Sequence, residues 1–105
     1  EAIVNAKDRS TVVTGKTTGH PVRVIKNKLA NKFEELEKSQ ATLEELEELG
    51  KGKLRLAVVD GDVEHGSVMA GQVSGMIEDV KPAESIVQDI MKGAATLFEG
   101  LYNLR

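Results

Sequence analysis

The chain has 105 residues, a formal net charge of −3 and 30% charged residues, which is typical of a single globular domain. It contains no cysteine, so disulfide bonds and thiolate metal sites are excluded. No apolar run reaches the roughly 20 residues that cross a bilayer, and the first residues lack a signal-peptide pattern, so we expect a cytoplasmic protein.

The first residues and the aromatic content indicate a piece of a larger protein. The sequence begins at Glu1 without methionine, and its opening EAIVNAK is typical of the end of a helix. We therefore assign residues 1–9 to the tail of a preceding helix. Aromatic residues make up only 3% of the chain, which leaves an aliphatic core with few large side chains. Both features predict that the chain was cut from a longer polypeptide.

The stretch VVTGKTTGHP, residues 12–21, contains the Gly-Lys-Thr triplet of a phosphate-binding loop. That loop also needs a glycine five residues before Gly15, so that backbone N–H groups can surround the anion, and Ser10 stands there. The residue before Pro21 is driven out of the helical region, so no helix can directly follow the lysine. We therefore predict a short strand, Ser10–Thr14, that ends in a turn.

A lone strand leaves its backbone N–H and C=O groups unmatched. We therefore expect Ser10–Thr14 to pair with a segment outside this chain or with a second copy of it. Pro21 is suited to the first position of a helix, and apolar residues recur beyond it at spacings of three and four. This pattern predicts a helix that frays near Ser39. Its apolar face consists of Val22, Ile25, Leu29, Phe33 and Leu36.

A sharper helix start follows at Thr42-Leu43-Glu44-Glu45, which fits a capping box. Gly50 is predicted to close this helix in the left-handed conformation. The next segment, Leu54–Val59, alternates like a strand but has the Leu and Ala content of a helical turn, and we favour a helix.

The acidic loop Asp60–Gly66 begins like a calcium-binding loop, because its carboxylates alternate. Such a loop needs Gly at its sixth position and Glu at its twelfth, where this chain has His65 and Gly71. We therefore predict a solvated turn and no metal site. His20 and His65 lack the spacing of metal ligands, and we assign no catalytic residue in this chain.

Basic residues concentrate between residues 23 and 32, ahead of a glutamate-rich helix. The net charge and the few aromatic side chains argue against nucleic-acid binding. A basic face can dock an acidic partner by electrostatic steering, although a solvated face partly neutralised by the glutamates is the alternative. The candidate partner-docking residues are Arg23, Lys26, Lys28 and Lys32.

Small residues mark the stretch GSVMAGQVSG, residues 66–75. Ser67 is predicted to cap a helix over Val68–Ile77 in which Gly71 and Gly75 permit a close approach, either by a neighbouring backbone or by a flat ligand such as a flavin. A last helix is predicted from Pro82 to about Leu101, because apolar residues keep helical period there. The sum is a mostly α chain with a short β segment.

The chain resembles the C-terminal third of the FMN-dependent enoyl-acyl-carrier-protein reductase II enzymes. Two separated motifs carry the resemblance: VVTGKTTGHPVRVIKNKL and LAVVDGDVEHGSVMAGQ. These enzymes are relatives of the nitronate monooxygenases, with which they form one superfamily. The monooxygenases typically carry Trp-Ala-Gly-Gln where this chain has Met69-Ala70-Gly71-Gln72, which favours the reductase.

The resemblance implies a TIM barrel that holds FMN, beside which lies a small lid-like domain. It implies that NADH reduces the flavin, which passes hydride to a trans-2-enoyl thioester in fatty acid synthesis. Residues 10–66 would form the small domain, and residues 67–105 a closing helical part of the barrel. The basic residues would dock acyl carrier protein. The residues that match the family motif near the flavin are Ser67, Met69, Gly71 and Gln72.

The catalytic histidine and the flavin-phosphate glycines of this family would lie before Glu1. The resemblance therefore implies that the isolated chain binds no FMN and is not competent alone. Its unmatched apolar faces are expected to drive self-association. Two alternatives stay open: a fragment of a nitronate monooxygenase, and an independent helical interaction module without a catalytic role.

Overall fold

The computed structural model describes residues 1–104. The chain is mostly helical with one two-stranded sheet, so the predicted fold class is confirmed at this level. None of the helices within the described range combines the length and the apolar character needed to span a membrane. The elements in chain order are β1 (Thr11–Thr14), β2 (Val22–Ile25), α1 (Lys28–Lys38), α2 (Leu43–Gly50), α3 (Lys53–Val58), a 3₁₀ helix (Gln72–Met76) and α4 (Ala83–Tyr102).

β1 and β2 form an antiparallel hairpin, with Thr11 opposite Ile25 and Thr14 opposite Val22. The expectation that β1 pairs outside the chain was therefore wrong, and so was the helix predicted to begin at Pro21. The segment Val22–Ile25 is rich in β-branched residues, and it supplies the backbone groups that β1 lacks. Its apolar spacing of three happened to match a helical face as well.

Helix α1 begins later than predicted because Asn27 caps it. The Asn27 backbone is extended, with φ −156° and ψ −172°, and its side-chain oxygen accepts a hydrogen bond from the Ala30 N–H. Asparagine is among the best residues at this position, since it satisfies one of the free N–H groups of the first turn. Lys38 ends the helix and Ser39 caps it, as the predicted fraying near Ser39 indicated.

A third extended segment, Val68–Ala70, lies along the free edge of β2. The Ile25 N–H donates to the Val68 carbonyl at 2.9 Å, and the Ala70 N–H donates to the Arg23 carbonyl at 3.2 Å. The predicted helix from Ser67 through Val68–Ile77 is therefore wrong. Pairing with an open strand edge outweighs the weak helix propensity of a segment that contains two glycines.

The capping box at the start of α2 is confirmed. The Glu45 N–H donates to the Thr42 hydroxyl at 3.2 Å, and the Thr42 N–H donates to the Glu45 carboxylate at 2.8 Å. Gly50 is the last helical residue of α2, whereas the left-handed residue is Gly52, with φ 71° at the start of α3. The favoured helix over Leu54–Val59 is confirmed, because α3 spans Lys53–Val58.

A small core lies between the hairpin and helices α1 to α3. The loop after α3 packs closely against that helix at Gly66. A Cβ at this position would lie only 2.6 Å from the Ala57 nitrogen. The amino-terminal residues pack on the 3₁₀ helix in the same way, because a Cβ at Gly75 would lie 2.6 Å from the Lys7 carbonyl carbon. The buried apolar residues are Ala6, Val24, Leu29, Ala30, Leu46 and Ala57.

Helix α4 is confirmed as predicted, with Pro82 immediately before its first residue. None of its residues is buried within the described part of the chain. Ile90, Leu97 and Leu101 lie on one face at helical spacing, and they are 65%, 70% and 64% exposed. The molecule measures 56 × 32 × 19 Å. Helix α4, with 20 residues, presents its apolar face to solvent in this chain.

Candidate functional site

The turn that resembles a phosphate-binding loop is closed by its own hydrogen bonds. The Thr18 hydroxyl donates to the Gly15 carbonyl at 2.8 Å and accepts from the His20 N–H at 3.2 Å. Gly15 has φ 78°, and a Cβ there would lie 2.7 Å from the His20 carbonyl oxygen. Only glycine fits this close approach without strain.

The anion held by this turn belongs to the chain itself. The Thr17 N–H and the Thr17 hydroxyl both donate to a carboxylate oxygen of Glu37, each at 3.1 Å. Partial burial raises the pKa of Glu37, but the hydrogen bonds from Thr17 and from the N–H groups of Gly15 and Lys16 outweigh it, so the pKa lies below its ordinary value. The turn is thereby fixed to α1, and its donors are occupied.

An apolar cavity of about 250 Å³ opens between this turn, helices α1 to α3 and the segment after Gly66. Its polar lining includes Thr18, His20 and Ser67. Ser67 is held at the wall because its N–H donates to the Lys53 carbonyl at 2.9 Å. The apolar side chains that line the cavity are Val22, Leu29, Phe33, Leu46, Leu54 and Met69.

The structure divides the four candidate cofactor-binding residues into two pairs. Ser67 and Met69 line the 250 Å³ cavity, and the Met69 side chain is 51% exposed. Gly71 and Gln72 lie beyond it on an exposed surface, where a Cβ at Gly71 would have no atom within 4 Å. The 3₁₀ helix that follows is anchored by the buried Ser74, whose hydroxyl donates to the Gly71 carbonyl at 2.7 Å.

The candidate docking residues likewise differ in their surroundings. Arg23 is half-buried, and its guanidinium donates to the Thr11 hydroxyl at 3.1 Å across the hairpin. Lys26 lies exposed between β2 and α1, while Lys28 and Lys32 stand one turn apart on α1. No carboxylate of residues 1–104 forms a salt bridge with any of these four side chains.

Asp62 organises the acidic loop through hydrogen bonds. One of its oxygens accepts from the Glu64 N–H at 3.2 Å and from the His65 N–H at 3.0 Å. The His65 ring nitrogen Nδ1 lies 3.1 Å from both carboxylate oxygens. The backbone hydrogen bond from His65, aided by the His65 ring, lowers the pKa of Asp62. Across the described range, no group of three or more His, Asp or Glu side chains is arranged to hold a metal ion.

Sequence reasoning missed Asn27, which connects three parts of the molecule. While its side-chain oxygen caps α1, its side-chain nitrogen donates to the Val63 carbonyl at 2.8 Å and to the Gly66 carbonyl at 2.7 Å. Asparagine before a run of helix-forming residues was the available signal for the cap. The two long-range bonds had no sequence signal. They set the position of the loop that precedes Ser67.

Comparison with known proteins gives a matching family and a set of similar solved structures that includes two of FabK. The family model for nitronate monooxygenase matches residues 1–93. A structure of FabK from Thermotoga maritima is 42% identical, with a TM-score of 0.90 over 99% of this chain and 33% of that chain. A structure of a FabK mutant from the same organism is 39% identical, with a TM-score of 0.79 over 98% of this chain and 30% of that one.

The search of curated proteins found no match to this chain. The chain spans about one third of the length of the two solved structures described above.

Proposed function

Since the chain belongs to the nitronate monooxygenase family, we propose that it is the C-terminal part of an FMN- and NADH-dependent enoyl-acyl-carrier-protein reductase of fatty acid synthesis. The observation that carries the proposal is the similarity to FabK, an enoyl-acyl-carrier-protein reductase II, at 42% identity over 99% of this chain. A cytoplasmic location follows from that assignment and is part of the proposal.

The two regions of the chain would then have separate tasks. Residues 10–66 would be the small lid-like domain, and residues 67–105 would close the parent TIM barrel. The exposed apolar face of α4 supports this division, because a helix with such a face requires a packing partner. A barrel supplied by the rest of the polypeptide would cover it.

The flavin would lie beside the stretch Ser67–Gln72. When bound, FMN would take hydride from NADH and deliver it to the enoyl double bond. Ser67 supplies a hydroxyl at the cavity wall, Met69 supplies a flexible apolar side chain, and the open space at Gly71 suits the approach of a flat ring. Gln72 adds an exposed amide that can donate and accept hydrogen bonds.

The apolar cavity is suited to the hydrocarbon part of an enoyl thioester. Six apolar side chains line it together with several polar ones, among them Glu47 and Lys53, and a mainly apolar surface with a few placed polar groups is usual for a small-molecule site. The role of this chain would be to bind the substrate, orient it towards the flavin and exclude water. The catalytic groups would come from the rest of the polypeptide, so the chain alone would be inactive.

Acyl carrier protein would approach the basic residues between β2 and α1. Unpaired positive side chains attract an acidic partner at long range and raise its association rate. Lys26, Lys28 and Lys32 are exposed, whereas Arg23 is partly committed to Thr11. The three lysines would therefore contribute more to docking than Arg23.

A nitronate monooxygenase is the second candidate, because the matching family model carries that description. Membership of an enzyme family counts against the third alternative, a non-catalytic helical module. The two enzyme candidates differ in substrate, so one preparation of the full-length protein can separate them. Flavin absorbance with NADH oxidation that depends on a crotonyl thioester supports the reductase. Consumption of an alkyl nitronate without turnover of the thioester would favour the monooxygenase instead.

A further inference from the structure

A second cavity, of about 70 Å³, is lined by three lysines and one histidine. Lys28 and Lys32 reach it from α1, Lys53 from the start of α3 and His65 from the acidic loop. Leu29 and Leu49 complete the lining. Four basic groups from three separate segments therefore meet at one small hollow.

The three segments are fixed relative to one another by backbone hydrogen bonds. The Leu29 N–H donates to the Glu64 carbonyl at 3.3 Å, which holds α1 against the loop that carries His65. The Ser67 N–H donates to the Lys53 carbonyl at 2.9 Å, which holds the same loop against α3. Because these bonds join residues far apart in sequence, the cluster is built by the fold and not by a single flexible stretch.

Within residues 1–104, the three lysines of the cluster lack an internal counter-ion. In the part of the chain that the structure describes, none of the three lysines has a carboxylate within 4.0 Å. None of the glutamates of α2 lines this hollow: Glu47 lines the 250 Å³ cavity, and the other three line a separate hollow beside Leu36. Asp62 is bound to His65. Like charges around one hollow repel each other, and a bound anion would remove that repulsion.

The size of the cavity is compatible with a phosphate group. A water molecule needs about 10–15 Å³ of such a cavity, so 70 Å³ holds on the order of five water-sized atoms. A phosphate group has about that many heavy atoms, and its oxygens accept hydrogen bonds from lysine ammonium groups. We propose that Lys28, Lys32, Lys53 and His65 form a binding site for one phosphate group of a phosphate ester.

The position of this phosphate site indicates which molecules could bring the phosphate. Leu29 and Lys53 line both cavities, so the site adjoins the apolar cavity assigned above to the acyl substrate. This step rests on the proposed function, which gives two possible sources of a phosphate ester at this place. They are the pantetheine arm of the thioester and the nicotinamide dinucleotide. The same site chemistry serves either, and the experiment below separates them.

The direct test is calorimetric titration of the full-length flavoprotein with inorganic phosphate. Lys32→Gln is compared with Lys38→Gln, which removes an exposed lysine of the same helix about 9 Å away along its axis. We expect Lys32→Gln to weaken phosphate binding about tenfold, the effect of losing one charge-assisted hydrogen bond. Lys38→Gln should leave the affinity unchanged. Equal affinities in all three proteins, or no phosphate binding by the unsubstituted protein, would overturn the site whether or not the enzyme assignment holds.

Steady-state kinetics of the same proteins identify the source. If Lys32→Gln raises the KM for crotonyl-4′-phosphopantetheine and leaves the KM for crotonyl-pantetheine, which has no phosphate, unchanged, the site is assigned to the pantetheine arm. An increase in the KM for NADH alone assigns it to the dinucleotide. Neither assay contains acyl carrier protein, so carrier docking cannot produce the effect. If phosphate binds but every KM stays at its unsubstituted value, the site is not a substrate subsite and this part of the inference fails.

Discussion

At the scale of single residues, Glu37 occupies the position that a phosphate would take in a nucleotide-binding loop. The turn resembles such a loop in having Gly-Lys-Thr, and its N–H groups do converge on an anion. That anion is a carboxylate of α1, so the turn serves to connect the hairpin with the helix. Residues far apart in sequence thereby define one wall of the apolar cavity.

Glu37→Gln tests this connection through its pH dependence. The pKa of Glu37 lies below its ordinary value of 4.5, so its stabilising effect is present above about pH 4.5 and is lost as the pH falls through the lower folded value. We expect the substitution to lower the free energy of unfolding by about 0.5–1.5 kcal/mol at pH 7, after allowance for solvent screening. Denaturant unfolding at pH 7 and at pH 3 measures the difference, which should be smaller at pH 3.

Glu35→Gln is the matched control for this measurement, because Glu35 is an exposed glutamate of the same helix. Its effect should be small at both pH values. A loss of stability in Glu37→Gln that is equal at pH 7 and pH 3 would contradict the role of the ionised carboxylate.

Gly15→Ala tests the close approach within the turn. Gly15 and Gly19 have nearly the same positive φ, 78° and 77°, but only at Gly15 would a Cβ meet another atom, 2.7 Å away. Alanine should therefore cost about 1 kcal/mol at Gly19, from backbone strain alone, and about 1–3 kcal/mol more at Gly15. Thermal unfolding of the two variants gives the comparison, and equal melting temperatures would show that the contact is unimportant.

At the scale of secondary-structure elements, local signals predicted α2 and α4, whereas tertiary pairing decided the β segments. The capping box of α2 and the long apolar period of α4 are contained in their own sequences. Val22–Ile25 and Val68–Ala70 are extended because each completes the backbone pairing of a neighbour. No pattern within either segment specifies that neighbour, so a helical spacing was misleading in both.

The same distinction applies to the candidate site. Ser67 and Met69 were identified from a motif, and the structure brings them to one cavity with the turn at Gly15–Gly19. Phe33, assigned to a helical face, also lines that cavity. Asn27 was missed because its function depends on two carbonyl groups about 40 residues ahead, as its bond to the Gly66 carbonyl shows.

Asn27→Ala tests how far one side chain holds the elements together. The substitution removes the cap of α1 and the donor shared by the Val63 and Gly66 carbonyls. We expect a loss of about 1–3 kcal/mol in the free energy of unfolding. Asn31→Ala, at an exposed position of the same helix, should change it by less than about 0.5 kcal/mol. Denaturant unfolding measures both, and an equal effect of the two substitutions would refute the connecting role.

At the scale of the whole molecule, the exposed face of α4 is the main departure from a self-contained domain. We expect the isolated chain to self-associate through this face, because an apolar stripe of this length is unfavourable in water. Ile90→Glu should reduce association and leave the helix content unchanged. Gln88→Glu adds the same charge on the opposite side of α4 and should have little effect. Sedimentation velocity over a concentration series makes the comparison, and a concentration-independent monomer without substitution would contradict the expectation.

The exposed face, the cavity beside Ser67 and Met69, and the length of the matched structures fit one account. The structural match covers 99% of this chain but only 33% of the FabK chain. Under the proposed function, a barrel formed by the rest of the polypeptide would bury the exposed face of α4. In this account the small domain would form the 250 Å³ apolar cavity for the acyl group. The cluster of Lys28, Lys32, Lys53 and His65 would bind a phosphate group of a substrate. Under the proposed function, the rest of the polypeptide would supply the flavin site and the catalytic groups.

The most direct measurement is product analysis of the full-length protein incubated with NADH and a crotonyl thioester. The account predicts that NADH is consumed in step with formation of the saturated butyryl thioester. It also predicts that the 105-residue chain alone, mixed with FMN, gives neither. Consumption of NADH or of an alkyl nitronate without any butyryl product would contradict the enoyl reductase assignment.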